Sequence, residues 1–235
     1  MKREMLERLV AARRKNQSVV LLRGLTSGCQ VLIDDTGTYG DTADVPDELL
    51  QRARDAMRRD GAVTLEIAEE RYLLQIFSSP PRLIIIGAVH IAQALIPMAR
   101  IAGYKVTLID PRTAFASSER FPNTDISNEW PEKIMPGLSL DGRTAVITLS
   151  HDAKIDEPAL KAALESEAFY IGALGSKKNH ARRLKRLAEH GFSAATLARI
   201  AGPIGLPLGG RSPAEIAISI LAQIIQSRYC HKEHM

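Results

Sequence analysis

Two periodicities divide the chain. In MKREMLERLVAARRKN, Met5, Leu6, Leu9 and Val10 fall on one helical stripe among arginines and lysines, which predicts an amphipathic surface helix. VVLLRG and QVLIDD then read as short strands, the second closed by the turn signal Asp35-Thr36-Gly37. From Pro46 to Asp60, Leu49, Leu50, Ala53, Ala56 and Met57 recur at helical spacing, and Gly61 supplies a left-handed stop. AVTLEIA and RYLLQIF follow as a strand pair. These elements predict a small α+β domain over residues 1–79, with Ser78-Ser79-Pro80-Pro81 as the linker.

From residue 80 to 235 the pattern changes to alternating buried strands and helices. RLIIIGA, KVTLID, RTAVITLS and AFYIGAL are the predicted strands, with a weaker one near Asp125 to Glu129. Helices are predicted near 90–102, 156–166, 177–190 and 213–228. Ser212-Pro213-Ala214-Glu215 is a capping box with proline at the first helical position, and it marks the start of the last helix. Alternation of this kind predicts the α/β class, a Rossmann-like parallel sheet with helices on both faces. Such a sheet binds ligands outside the carboxyl ends of its strands.

The residues at those ends are therefore the candidates. Gly87 and Ala92 fit the G-x-G-x-x-A turn that cradles a dinucleotide pyrophosphate, but Val89 occupies the second glycine position, where its side chain would meet the phosphate and its Cβ would restrict the backbone. Pro97 predicts a kinked or shortened helix. Asp110 ends the second strand, where an acidic residue can accept from a ribose or simply open an Asp-Pro turn. Ser150-His151-Asp152 cannot converge as a hydrolytic triad, because extended neighbours point to opposite sides, although His151 or Asp152 can still face the crevice.

Gly172, Gly175, Ser176, Lys177 and Lys178 form a Gly-rich turn into a helix with cations in its first turn. They read as an anion cradle or as the start of a solvated basic face that Arg182, Arg183, Lys185 and Arg186 continue. The Gly/Pro-rich loop containing Gly205 can bring backbone to a ligand or merely turn. Cys230-His231-Lys232-Glu233-His234 has metal-ligating side chains, but its place at the terminus argues against a site, and no metal residues or catalytic residues are assigned.

Composition narrows the partners. The 235 residues are 45% hydrophobic, enough for a substantial core, and a net charge of +4 with only 5% aromatics favours an anionic small molecule over nucleic acid. The 2 cysteines, Cys29 and Cys230, form no C-x-x-C pair, which points to a reducing compartment, the cytoplasm. The charged N-terminus is neither signal peptide nor membrane span, and no other apolar run is long enough for one.

Taken together, GAVHIAQAL, LIDPR, ERFP, WPE at 130–132, LSHD, DEPAL at 156–160, FYIGALGSKKNHARRL, GPIGLPLGG and RSPAEIAISILAQII resemble the Rossmann-type domain of the XdhC/CoxI proteins, accessory factors for molybdenum hydroxylases such as xanthine dehydrogenase and carbon monoxide dehydrogenase. The resemblance spans Arg82 to about Arg228. It implies a factor that binds molybdenum cofactor (molybdopterin) as cargo, works with a cysteine desulfurase to install the terminal sulfido ligand, and inserts the product into the apo-hydroxylase. That is a cofactor chaperone rather than a catalyst.

Gly172 to Lys178 and the loop at Gly205 would then cradle the anion, and His90, Asp110 and His151 would line the crevice. The sequence departs from the family at Val89, where GAGH is usual, and in its N-terminal domain, which lacks the Ser-Gly-Gly-Cys-x-Glu segment of longer members; Ser27-Gly28-Cys29-Gln30 is the nearest string, but it precedes the TGTYG hairpin, where the family has a different motif. Cys29 reads either as a sulfur contact or as a small buried residue. Two other readings remain: an NAD-dependent oxidoreductase using Gly87, Ala92 and Asp110, and a cofactor-free scaffold between desulfurase and hydroxylase. The apolar last helix, Ala214 to Ile225, suits a homodimer interface or burial in its own core.

Overall fold

The computed structural model describes residues 2–15, 17–57, 61–67 and 69–230, and the chain divides into two compact units, residues 1–80 and 81–235. The predicted C-terminal cluster from His231 to His234 and the predicted helix end at Arg58 to Asp60 lie outside the described residues.

In the first unit α1 (Arg3–Arg14) precedes β1 (Val19–Gly24), β2 (Gln30–Asp34) and β3 (Gly37–Gly40), followed by α2 (Asp47–Ala56), β4 (Gly61–Ile67) and β5 (Glu70–Phe77). The strands form an antiparallel sheet in the order β3-β2-β1-β5-β4. β1 is buried on both sides because its residues alternate between two cores. Val19 and Leu21 meet Met5, Leu9 and Ala12 of α1, whereas Val20 and Leu22 meet Leu49 and Ala53 of α2. The packed stripe of α1 is narrower than its sequence suggests: Leu6 and Val10 are exposed. Gly61 has the expected left-handed φ of 105° but opens β4. Cys29 is a free, buried thiol among the α2-side core residues.

In the second unit the order is β6 (Arg82–Ile86), α3 (His90–Ile101), β7 (Lys105–Ile109), β8 (Asp125–Ser127), α4 (Pro131–Ile134), β9 (Thr144–Thr148), α5 (Ala153–Leu164), β10 (Tyr170–Ala173), α6 (Lys177–Glu189), α7 (Ala194–Leu197), β11 (Ile200–Ala201) and α8 (Pro213–Cys230). All strand pairs are parallel, and the sheet runs β11-β10-β9-β6-β7-β8. Counted from β6, this is the doubly wound order of a Rossmann-type sheet, which reverses direction between β6 and β9.

Each of β6's aliphatic residues is buried: Leu83 and Ile85 pack toward α3 and α8, Ile84 and Ile86 toward α5. α3 runs on through Pro97 to Ile101, so the proline withdraws one hydrogen bond without ending the helix. α5 starts ahead of the predicted boundary because Asp152 caps it, accepting from the Lys154 N–H at 2.9 Å. The predicted capping box forms at α8: Glu215 N–H donates to Ser212 Oγ, and Glu215 Oε2 accepts from the N–H groups of Arg211 and Ser212. Among the described residues, no helix is long and apolar enough to cross a membrane.

Two contacts hold the carboxyl edge. Asp110, fully buried, accepts from Ala88 N–H at 2.8 Å, from Arg112 N–H at 3.0 Å, and from the Arg112 guanidinium at 2.9 and 2.7 Å. Gly172 lies under the 202–211 loop, where a Cβ would meet Ile204 Cδ1 at 2.5 Å and Tyr170 Cε1 at 2.8 Å.

Burial alone would raise the pKa of Asp110, but the Arg112 and Ala88 hydrogen bonds outweigh it and hold the carboxyl below the usual carboxylate range. Its stabilisation is therefore present above the unfolded-state pKa and disappears as pH falls through the lower folded value. Asp110→Asn should cost about 2 kcal/mol in urea unfolding near neutral pH, with the gap to wild type narrowing toward about pH 3. Gly172→Ala should cost about 1–3 kcal/mol by overpacking. Ile204→Val, which removes Cδ1, should then be better tolerated in the Gly172→Ala background than in wild type, a coupling readable from the four denaturation midpoints.

Candidate functional site

The site is built where β6 and β9 end side by side at the point of reversal. Gly87, at φ 109°, lets the two turns touch: a Cβ there would lie 2.7 Å from Ser150 N and 3.0 Å from Ser150 Cα. Its glycine serves this chain-to-chain approach. Val89 stands at the N-cap of α3 with φ −95° and ψ 171°, an extended conformation open to any residue, so the expected backbone restriction does not arise. Its side chain packs against the α3/α8 core, and Ala92 is fully buried there, allowing α3 to lie close on the sheet.

The dinucleotide turn is thus filled by the protein's own groups. Ala88 N–H is taken by Asp110, and Ala88 C=O accepts from Arg120 Nη1 at 3.1 Å. Arg120, from the ERFP segment, also reaches Gln93 Oε1 at 3.3 Å. Asp110 is therefore a buried staple between β6 and β7, with its acceptor positions occupied by Ala88 and Arg112, and it does not present a free carboxylate to a ribose. His90, the first residue of α3, is exposed.

On the other side of the switch point, His151 adopts a left-handed φ of 62° and exposes its ring. Its neighbours turn away from it: Ser150 Oγ donates to Asp156 Oδ1 at 2.6 Å, and Asp152 caps α5. At the end of β10, Gly175 has φ 143°, and a Cβ there would approach Asn179 Cβ at 3.4 Å and Arg183 Nη2 at 3.7 Å. Ser176 caps α6 by accepting from Asn179 N–H at 3.2 Å, while Lys177 and Lys178 are exposed in the first turn.

Two glycines chosen from the sequence face elsewhere. Gly172 is covered by Ile204, and Gly205, at φ 97°, packs beneath α8, donating its N–H to Gln223 Oε1 at 2.7 Å.

A cavity of about 270 Å³ opens between the starts of α5 and α6, lined by His151, Asp156, Glu157, Asn179 and the arginines Arg182, Arg183 and Arg186. Only His151 of these was singled out as a site residue from the sequence. The missed signal was spacing: Asn179, Arg182, Arg183 and Arg186 recur at i, i+3, i+4 and i+7, one face of α6, which Lys177, Lys178 and Lys185 do not share. Arg183 departs most from the solvated-face reading, since it is buried and donates Nη2–H to Leu174 C=O at 2.8 Å.

Burial raises the Asp156 carboxyl above its ordinary pKa despite the Ser150 hydrogen bonds and the Arg183 charge. Among the described residues, no group of three or more His, Cys, Asp or Glu side chains is placed to hold a metal ion.

Residues 83–224, more than half of the chain, match the family model described as the XdhC Rossmann domain. Over 152 residues, 65% of this chain, the sequence is 34% identical to the molybdenum cofactor insertion chaperone PaoD of Escherichia coli, covering 42% of that protein. It is 26% identical over 97% of its length to a probable xanthine dehydrogenase subunit from Bacillus subtilis, covering 66% of that protein. The chain thus spans well under the full length of these relatives. A crystal structure of a xanthine dehydrogenase from Bacillus halodurans superposes with a TM-score of 0.74 at 26% identity, covering 98% of this chain and 66% of the other. On the strength of the family match, which runs from β6 into α8, the chain belongs to the XdhC family.

Proposed function

We propose that this chain is an accessory factor in molybdenum hydroxylase maturation, which holds molybdenum cofactor as cargo at the carboxyl edge of its parallel sheet and delivers it to the apo-hydroxylase. The observation that carries the reading is the contrast along that edge. The turn a dinucleotide would need has its Ala88 N–H and C=O taken by Asp110 and Arg120, while the β10–α6 side offers cations and a glycine turn. Similarity to a chain named as a cofactor insertion chaperone and to one named as part of a xanthine dehydrogenase supports the same reading.

In this proposal Gly175, Ser176, Lys177 and Lys178 receive the anionic end of the cargo. Ser176 Oγ already satisfies Asn179 N–H, so the lysine side chains and the first-turn N–H groups of Lys177 and Lys178 are the donors. His90 and His151, both exposed, flank the crevice. The cargo is an anion with a pterin and a dithiolene-bound metal, and it wants such donors together with shelter from water. Sulfuration with a cysteine desulfurase, action in the cytoplasm and self-association belong to the same proposal. α8 offers a surface for the last, because Ile218, Ile225 and Tyr229 remain exposed on the helix whose Ala217, Ile220 and Ile224 are buried.

The test is anaerobic gel filtration of the purified chain with molybdenum cofactor released from a hydroxylase, with NAD as a parallel ligand. Molybdenum and pterin fluorescence should co-elute with the protein near one equivalent, and a Lys177→Ala/Lys178→Ala variant should retain the cargo roughly tenfold less tightly. Retention of NAD without pterin would replace this reading by that of a dehydrogenase.

A further inference from the structure

One residue lining the arginine-rich cavity between α5 and α6 carries a donor that the protein leaves unused. Arg183 is only 6% exposed, and its Nη1 has no hydrogen-bond partner among the described residues, although Nη2 is held by Leu174 C=O. Buried polar groups are almost always paired, and a charged donor without an acceptor is among the costliest exceptions.

The nearby carboxylates do not resolve it. Asp156 Oδ2 stands 4.0 Å from Arg183 Nη2, beyond hydrogen-bond reach, and its other oxygen is engaged by Ser150 Oγ. Glu157 is taken by Arg186 at 2.6 Å. Burial, with the Arg186 charge adding to it and Asp156 opposing, lowers the pKa of Arg183, yet a guanidinium remains protonated in a protein. With Arg182, Arg183 and Arg186 set against Asp156 and Glu157, the cavity lining keeps a net positive charge beside the amide of Asn179.

We propose that this cavity binds a phosphate-type oxyanion, with the Arg183 guanidinium as its buried cation and Arg182 and Asn179 at its rim. The chemistry fits in three respects. A guanidinium presents N–H groups in a planar fork that matches two oxygens of a tetrahedral anion. The volume of about 270 Å³ lies below the ~300–1,000 Å³ of clefts that enclose whole organic ligands, so it suits one anionic group. Asn179 adds an amide to the same lining, with its Oδ1 already engaged by Arg182 Nη2 and its side-chain N–H donors facing no acceptor among the described residues.

The cavity lies apart from the lysine donors of the proposed function, because neither Lys177 nor Lys178 lines it. The anion comes either from free phosphate or from the phosphate ester of a bound cargo.

The experiment is isothermal titration of the full chain with inorganic phosphate at ionic strength held constant with chloride. One saturable site is expected. Arg183→Gln should weaken it about tenfold or more, and Arg182→Gln, at an exposed position, about threefold. Asp156→Asn, which removes the competing carboxyl, should tighten it, an outcome that a purely structural Arg183 would not produce.

Arg183→Gln leaves Leu174 C=O without its donor, so Arg182→Gln and Asn179→Ala keep the test open if that variant misfolds. Absence of saturable phosphate binding, or unchanged affinity in both arginine variants, would overturn the proposal. A second titration into protein loaded with molybdenum cofactor identifies the source. Loss of phosphate binding on loading assigns the site to the cargo's ester, and retained binding assigns it to free phosphate. Failure of the chain to hold cofactor would leave the phosphate titration, and hence this inference, intact.

Discussion

β6 and β9 leave the sheet so close together that the Cβ position of Gly87 would fall 2.7 Å from the Ser150 backbone nitrogen. This approach governs the carboxyl edge. It lets Leu149 N–H bond to Ile86 C=O at 2.7 Å, extending the β6–β9 ladder past the strand ends, and it sets Ser150 where its hydroxyl meets Asp156. The chain then turns through His151 in a left-handed conformation and starts α5 at once on the Asp152 cap. Any side chain at residue 87 would push these turns apart, and the start of α5, which frames one side of the arginine-lined cavity, would move with them.

Two buried acid–base groupings sit on either side of that contact and behave oppositely. Asp110 is saturated by Ala88 N–H and by Arg112, whose outer side remains partly in water and stacks on Phe115 at 4.7 Å. Its ionised form is stabilised, and the grouping locks the first turn of α3. Asp156 and Arg183 share a deeper environment, yet they face each other at 4.0 Å with one guanidinium nitrogen unpaired. Burial disfavours the charge on both. The first grouping is complete within the protein; the second is electrostatically open toward the cavity.

The parallel sheet was legible because fully buried strands such as Leu83–Ile86 are continuous aliphatic runs, and helix starts such as Ser176 and Ser212 carry capping side chains that announce them. The short elements were not. β11 has residues only at Ile200 and Ala201, and α7 spans Ala194–Leu197, lengths over which no period can be read; both depend on the packing of β10 and α6. Of the candidate site residues, Gly172 and Gly205 proved to serve close packing against Ile204 and α8, a role that glycine in a turn shares with ligand approach until neighbours are known.

Local pattern alone determined the succession of the longer elements, the Rossmann-like class and the concentration of basic residues on α6, because burial period and caps are properties of neighbours along the chain. Tertiary structure decided which polar groups are consumed and which remain. Asp110 and Arg183 look equally available in sequence, but one is closed by an amide 22 residues away and the other is buried without an acceptor for Nη1. That difference depends on which strand ends meet at the switch point, a long-range arrangement that no local spacing encodes.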